Sequence, residues 1–364
     1  MCLSTCAATA RDWDDSVFLG TIPEAAETLN VIGNANEAGV VIGETTFGGL
    51  PALDSHGTGG IMDYGSLIWI ALQRSRTCRG AIALIDSLVQ RHGYASDGES
   101  FSCVDGKEAW LMELIGKGKY EKGAVWVATK VPDGAVLAHA NQARTTTFAR
   151  DDPGSVLYSP DVVSFARKIG LFPEDAPDAA FDFSAAYDPV TFSGARHGEA
   201  RVWDIYRRIA GPEAMDQYTD YARGFNLTNR MPLFVYPAAA AAAEKKLSVA
   251  DVMRLMRTRL EGTWFDNRGV TRADVGAGSG HSAYRWRPLI WHSSAAANGD
   301  DADAEHEYVN ERTVGTQQTS WNFVAASRPW WGCTAIEFRL PIALAASLFS
   351  CNSSGGIANQ RLVW

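Results

Sequence analysis

The stretch "ESFSCVDGKEAWLMELIGKGKYEKGAVWVATKVPDGAVLAHA" (99–140) decides the fold class. Three apolar runs, 99–105, 108–116 and 123–132, are separated by Asp105-Gly106 and by "GKGKYEKG" (116–123), both hairpin signals. A fourth run, 134–140, follows Pro132-Asp133-Gly134. Parallel neighbours would need crossovers of a dozen or more residues, so four strands on short links predict one antiparallel sheet.

The flanks supply a second layer. In 66–93, Leu67, Ile70, Ala71, Arg74, Cys78, Ala81, Ile82, Ile85 and Leu88 recur at helical spacing. They predict one long helix over about 66–91, ended near Gly93 and covering a face of the sheet. Before it, "NEAGVVIGETTFGGL" (36–50) reads as a turn, a buried strand through Val40, Val41 and Ile42, and a glycine-rich exit. A helix laid on an antiparallel sheet makes this a layered α/β sandwich. Further on, short helices are expected at 160–169 and 197–210, and Ser248 caps another running to about Leu260. "HSAYRWRPLIW" (281–291) and "TQQTSWNFVAASRPW" (316–330) read as strands, and the acidic stretch 298–311 as a surface loop.

Composition narrows the function. The 364 residues are 46% hydrophobic and 21% charged, ordinary for a soluble domain with a sizeable core. A net charge of −9 gives no general attraction to nucleic acid or to an anionic membrane surface. No apolar run is long enough to span a bilayer, and no signal peptide is legible, so a soluble, cytoplasmic location is the default. Six cysteines form no CxxC, and no Cys/His group has zinc-like spacing, so neither metal nor cofactor is expected. Cys78 on a helix and Cys103 on a strand are expected as buried free thiols. The glycine-rich stretch 268–288 lacks the Gly-Lys-Ser/Thr ending of a phosphate loop, and no Gly-x-Ser-x-Gly elbow occurs.

Two polar positions stand at strand ends. Asn36 opens the Asn-x-x-Gly turn before Val40, and Asn141 follows the strand ending in Ala-His-Ala, with Arg144 just beyond. Taken alone, both are turn residues.

The blocks "NANEAGVVIGETTFGG", "MDYGSLIWIALQRSRTCRGAI", "GESFSCVDGKEAWLMELIGKG", "GAVWVATKVPDGAVLAHANQART", "GTWFDNRGVTRADVGAGSGH", "YRWRPLIW" and "TQQTSWNFVAASRPW" lie in collinear order over residues 11–331. Together they resemble the cysteine dipeptidases related to the secernins. The resemblance implies one α+β domain over 11–331 of N-terminal-nucleophile hydrolase type. Its fold would be an αββα sandwich of two antiparallel sheets with outer helices, with 1–10 and 332–364 as non-matching tails. It implies hydrolysis of dipeptides or short peptides without a metal, and is compatible with a homo-oligomer. In such a family an N-terminal cysteine thiol attacks the amide carbonyl, its own α-amino group serves as base, and an acyl-enzyme forms. Asn36 matches an oxyanion asparagine and Asn141 the second active-site asparagine, which puts both in one cleft. Arg144 is the expected partner of the substrate carboxylate.

Both ends depart from the family pattern. Cys2 and Cys6 are not followed by the family's strand and Gly turn, and the segment after "SRPWWG" is unlike its relatives. The termini therefore read as atypical or truncated, and the chain as written is expected to hydrolyse dipeptides poorly. A non-catalytic, secernin-like protein binding a peptide or partner through the same cleft is the alternative. An amidase acting on a non-peptide amide fits the same chemistry.

Overall fold

The structure, a computed structural model, describes residues 7–238, 247–266, 289–291, 307–309, 312–315, 323–327, 347–350 and 360–363. Cys2, Cys6, Cys333 and Cys351, the ends of the tails, and the whole 268–288 stretch lie outside these residues.

The opening stretch folds as hairpins. Gly98–Val104, Ala109–Gly116 and Ala124–Lys130 pair antiparallel in sequence order. Asp105 turns the first hairpin by accepting the amides of Lys107 (2.8 Å) and Glu108 (2.9 Å), the Asx-turn role of that residue. Gly123, at φ 105°, closes the second. The full sheet runs Val156–Tyr158, Ala124–Lys130, Ala109–Gly116, Gly98–Val104, Val41–Gly48, Ala35–Asn36 and Val31–Ile32, antiparallel throughout.

The fourth run leaves this sheet, which corrects the expectation of one sheet over 99–140. Val136–His139 pairs with Phe234–Val235 and Ser347–Ser350 in a second, five-stranded sheet that also holds Gln360–Val363 and Val324–Ser327. The cause is local. Pro132 has no amide to give to a ladder, Gly134 turns the chain at φ 77°, and Val156–Tyr158 takes the free edge of Ala124–Lys130. Val41, Val104, Ala109, Leu111, Ala135, Leu137, Phe323 and Ala325 form the apolar cluster joining the two sheets.

The long helix is two helices, α1 (Tyr64–Arg74) and α2 (Cys78–His92). Asp63 caps α1 by accepting from the Ser66 amide, and Thr77 caps α2 by accepting from the Gly80 amide. Ser75 between them is extended. The apolar period survives the break because both helices bury one stripe against the first sheet. Leu67, Ala71, Ile82, Ile85 and Val89 pack there with Phe101, Cys103, Trp110 and Met112. Cys78 and Cys103 are buried free thiols, as expected, and burial pushes the Cys78 thiol well up.

Elsewhere the expected helices form with altered ends. Val162–Lys168 lies within 160–169. Residues 195–210 begin with a π-helical turn, Ala195–Glu199, and continue as an α-helix, Ala200–Ala210. The Ser248 cap forms a full capping box with Asp251, but the helix ends at Leu255, short of Leu260. Glu307–Val309, expected as surface loop, pairs antiparallel with Leu289–Trp291. No helix among the described residues is long and apolar enough to cross a membrane.

Candidate active site

The chain leaving Val136–His139 builds a buried polar site. Asn141 adopts a left-handed conformation, φ 50°, which asparagine tolerates better than most residues. Its Nδ2 donates to the Thr46 carbonyl (2.6 Å) and its Oδ1 accepts from Arg201 Nη2 (2.7 Å). A carbonyl on one side and a guanidinium on the other fix which amide atom is which. One Nδ2 hydrogen stays uncommitted among the described residues.

Carboxylates hold the next residues from behind. Glu113 accepts the amides of Arg144 (2.6 Å) and Thr145 (2.8 Å). Asp188 accepts the Ala143 amide (2.7 Å) and Gln142 Nε2 (2.6 Å). On the other side Gly198, in the π-turn, lies against Ala140. A Cβ there would sit 2.4 Å from the Ala140 carbonyl oxygen. The turn at 140–145 is therefore clamped on both sides, which suits a preorganised donor.

Burial sets the charges. It pushes Asp188 up to about 7, against hydrogen bonds that favour its ionised form. Burial and then the nearby Arg312 push Arg201 down to about 9. Burial, then Arg144, pushes His139 down to about 3, so its ring is neutral. His139 bridges the sheets, with Nδ1 2.6 Å from Thr45 Oγ1 and Nε2 2.7 Å from Ser102 Oγ.

Asp188 makes the stability pH-dependent. Its folded pKa lies above the unfolded value near 3.9, so the folded state binds the extra proton. This contribution is full below about pH 4 and is lost as pH rises through about 7. Glu113 and Glu99, also raised by burial, act in the same direction. His139, held neutral by burial, acts in the opposite direction over the same range, so the Asp188 contribution is read as a difference: between pH 4 and pH 7 the urea midpoint of the wild type should fall relative to that of Asp188→Asn. A slope unchanged by Asp188→Asn would place the titration elsewhere.

The three residues singled out in the sequence take separate places. Asn36 is buried, and both Nδ2 hydrogens cap the end of α1 at the carbonyls of Leu72 and Ser75 (2.7 Å each). Its Oδ1 accepts the amides of Ala38 (3.1 Å) and Val40 (3.0 Å). Asn36 bonds to Val40 and Asn141 to Thr46, six residues along one extended segment, about 20 Å at ~3.3 Å per residue. Asn36 and Asn141 thus do not share a cleft. Arg144 is buried and ion-paired to Glu199 (3.0 Å). It also donates to the carbonyls of Ala138 (3.0 Å) and Pro232 (3.0 Å) and to Tyr206 Oη (3.0 Å). That network leaves no fork facing a substrate carboxylate.

His139, Glu113, Asp188 and Arg201 were not singled out in the sequence. Only His139 carried a signal there, since it shares the inward phase of Ala135 and Leu137. Among the described residues, Asp54, His56 and Asp97 bring possible metal-ligand atoms within 4.8 Å of one another. Asp54 and His56 are exposed and paired to each other (2.6 Å), as surface groups often are without an ion.

Comparison with known proteins agrees with this chain over most of its length. The sequence model of peptidase family C69 matches residues 5–330. A probable dipeptidase of Salmonella dublin is 28% identical over 243 residues, 65% of this chain and 51% of the relative. A probable dipeptidase of Latilactobacillus sakei is 23% identical over 204 residues, 56% of this chain and 38% of the relative. A dipeptidase of Bifidobacterium longum (strain NCC 2705) is 24% identical over 205 residues, 55% of this chain and 36% of the relative. The chain spans about half the length of the first relative and less of the other two. The resemblance to the cysteine dipeptidases related to the secernins is borne out: the chain belongs to peptidase family C69.

Proposed function

We propose that this protein is a cysteine-dipeptidase homologue of N-terminal-nucleophile type, with 11–331 as one domain, that takes dipeptides or short peptides at the Asn141 turn. The observation that carries this reading is the Asn141 carboxamide, left-handed at a strand end, clamped, and with one N–H uncommitted among the described residues. A neutral donor held this way suits the oxyanion of an amide hydrolysis. A thiolate would attack the amide carbonyl, the C–N bond would break as the amine leaves with a proton from the base, and water would then cleave the thioester to release the acid and return the thiol. The names of the relatives support dipeptides as the substrate class. Asn36 and Arg144 hold the scaffold in this reading and do not touch substrate.

Turnover by the chain as written should be slow. The strand that follows Cys6, Ala7–Arg11, pairs with Phe18–Pro23 and with no other described strand. It lies on α1, where Arg11 and Ser66 exchange hydrogen bonds (3.2 and 3.1 Å). A thiol gains rate only when held about 3–3.5 Å from the carbonyl carbon, and Ala7–Arg11 is a strand of neither of the two larger sheets. The same placement favours the second reading, a relative that binds peptides without cleaving them.

The test is dipeptide hydrolysis by the purified chain beside Cys2→Ala and Asn141→Ala, with dipeptide binding followed by calorimetry. Binding with little turnover, weakened by Asn141→Ala, is expected. Rapid hydrolysis abolished by Cys2→Ala would overturn the slow-turnover reading and make Cys2 the nucleophile. No dipeptide binding at all would remove the Asn141 turn as a site.

A further inference from the structure

On the helix side of the first sheet lies a cavity of about 240 Å³, between α1, the edge of the sheet and the chain after Arg11. Its walls include Trp13, Tyr64, Ile68 and Trp69, and Glu44 opens into it. Glu44 shares the strand face of Ile42, which packs against the helices, so its carboxyl points away from the apolar cluster between the sheets. The wall is built. Trp13 donates its amide to Asp63 (2.6 Å), the α1 cap. Its side chain packs on Gly65, where a Cβ would come within 2.5 Å of the indole. Tyr64 Oη donates to Asp14 (2.9 Å) on the same side.

Among the described residues, the carboxyl at the floor has no cation beside it. Glu44 meets the carboxyl of Glu99, and the acids Glu99 and Asp14 are its charged neighbours. Glu99 is fully buried and takes the Thr46 hydroxyl on Oε1 (2.5 Å), but its Oε2 has no donor. The nearby arginines look elsewhere: Arg11 donates to the Ser16 carbonyl and Arg74 to that of Pro23. Electron-rich indole faces beside a carboxyl without a counter-ion attract an organic cation. A hard divalent ion would want six or more oxygens, and this pocket offers indole instead. Its volume is below the roughly 300–1,000 Å³ of drug-sized ligand sites, so the cation is small.

We propose that this pocket binds a small organic ammonium ion, with its charge on Glu44 and its carbon atoms against Trp13, Tyr64 and Trp69. The proposal stands apart from the peptidase reading, because among the described residues neither Asn141 nor a cysteine lines the pocket. Burial pushes the Glu44 carboxyl up to about 7, so the cation meets an ionised partner more fully at pH 8 than at pH 6.

The experiment is calorimetric titration of the full chain at pH 8 with tetramethylammonium and with n-butylammonium, beside the neutral isostere 3,3-dimethylbutan-1-ol. Saturable binding of at least one cation is expected, about tenfold or more tighter than the alcohol. Glu44→Gln and Trp69→Ala should each weaken it by about tenfold. Circular dichroism reports whether the variants fold. The Trp69 side is 42% exposed, so Trp69→Ala decides the question if Glu44→Gln does not fold. Alcohol binding as tight as the cation, binding unmoved by the folded variants, or no saturable heat with either cation would overturn the proposal. Dipeptide binding at the Asn141 turn should be unchanged in Trp69→Ala, which separates this site from that one.

Discussion

Arg144→Met should destabilise the protein by about 3–5 kcal/mol, the range for removing one partner of a buried ion pair. Both partners are almost completely enclosed, with 1% side-chain exposure each. Removing the guanidinium leaves the Glu199 carboxylate, among the described residues, with the Tyr221 hydroxyl (2.9 Å) as its remaining hydrogen-bond donor. It also strips donors from the carbonyls of Ala138 and Pro232, and each unsatisfied buried group costs about 1–3 kcal/mol. Methionine fills much of the volume, so the loss reports charge and hydrogen bonds more than a cavity. Adding Glu199→Leu to Arg144→Met should recover part of the loss, because the stranded charge goes with it. Urea unfolding of the three variants measures this. A loss under about 1 kcal/mol for Arg144→Met would mean the guanidinium is not needed by the fold and would restore it as a candidate carboxylate ligand.

That result bears on what the sequence could reveal. The hairpins over 98–130 were legible because apolar runs, Asp105-Gly106 and Gly123 are local signals, and their pairing needs nothing from elsewhere. Val136–His139 was legible as a strand but not as a member of the second sheet. Its partner Ser347–Ser350 lies some two hundred residues away, in a segment that reads as a non-matching tail. The break between α1 and α2 was hidden for a related reason. Apolar spacing continues across Ser75–Thr77, and the group that ends α1, Asn36, comes from another strand. Asn141 was placed correctly at a strand end, while its clamp of Glu113, Asp188 and Arg201 is assembled from three distant elements. Arg144 shows the limit of motif reasoning. A planar fork suits a substrate carboxylate and a buried glutamate equally well, and only the position of Glu199 decides between them.

Asn36→Ala should cost about 2–4 kcal/mol, by loss of a cap and exposure of unpaired groups. The wild-type carboxamide makes four hydrogen bonds, two to the Leu72 and Ser75 carbonyls and two from the Ala38 and Val40 amides. Alanine leaves all four partners without it in a site that is 1% exposed. Asn36→Asp sharpens the test, because it keeps the shape and reverses the polarity toward α1. An ionised carboxylate would face two carbonyl oxygens, so the folded state would favour the protonated acid and raise the pKa of the introduced group. Such a group stabilises fully below its unfolded value near 3.9 and loses that contribution as pH rises through the folded one. Asn36→Asp should therefore approach wild type at low pH and fall toward Asn36→Ala near neutrality, in thermal or urea unfolding. An asparagine whose work is to hold an oxyanion would behave otherwise. Its replacement would reduce turnover while leaving the unfolding midpoint and its pH profile nearly unchanged, and that pattern would return Asn36 to the active site.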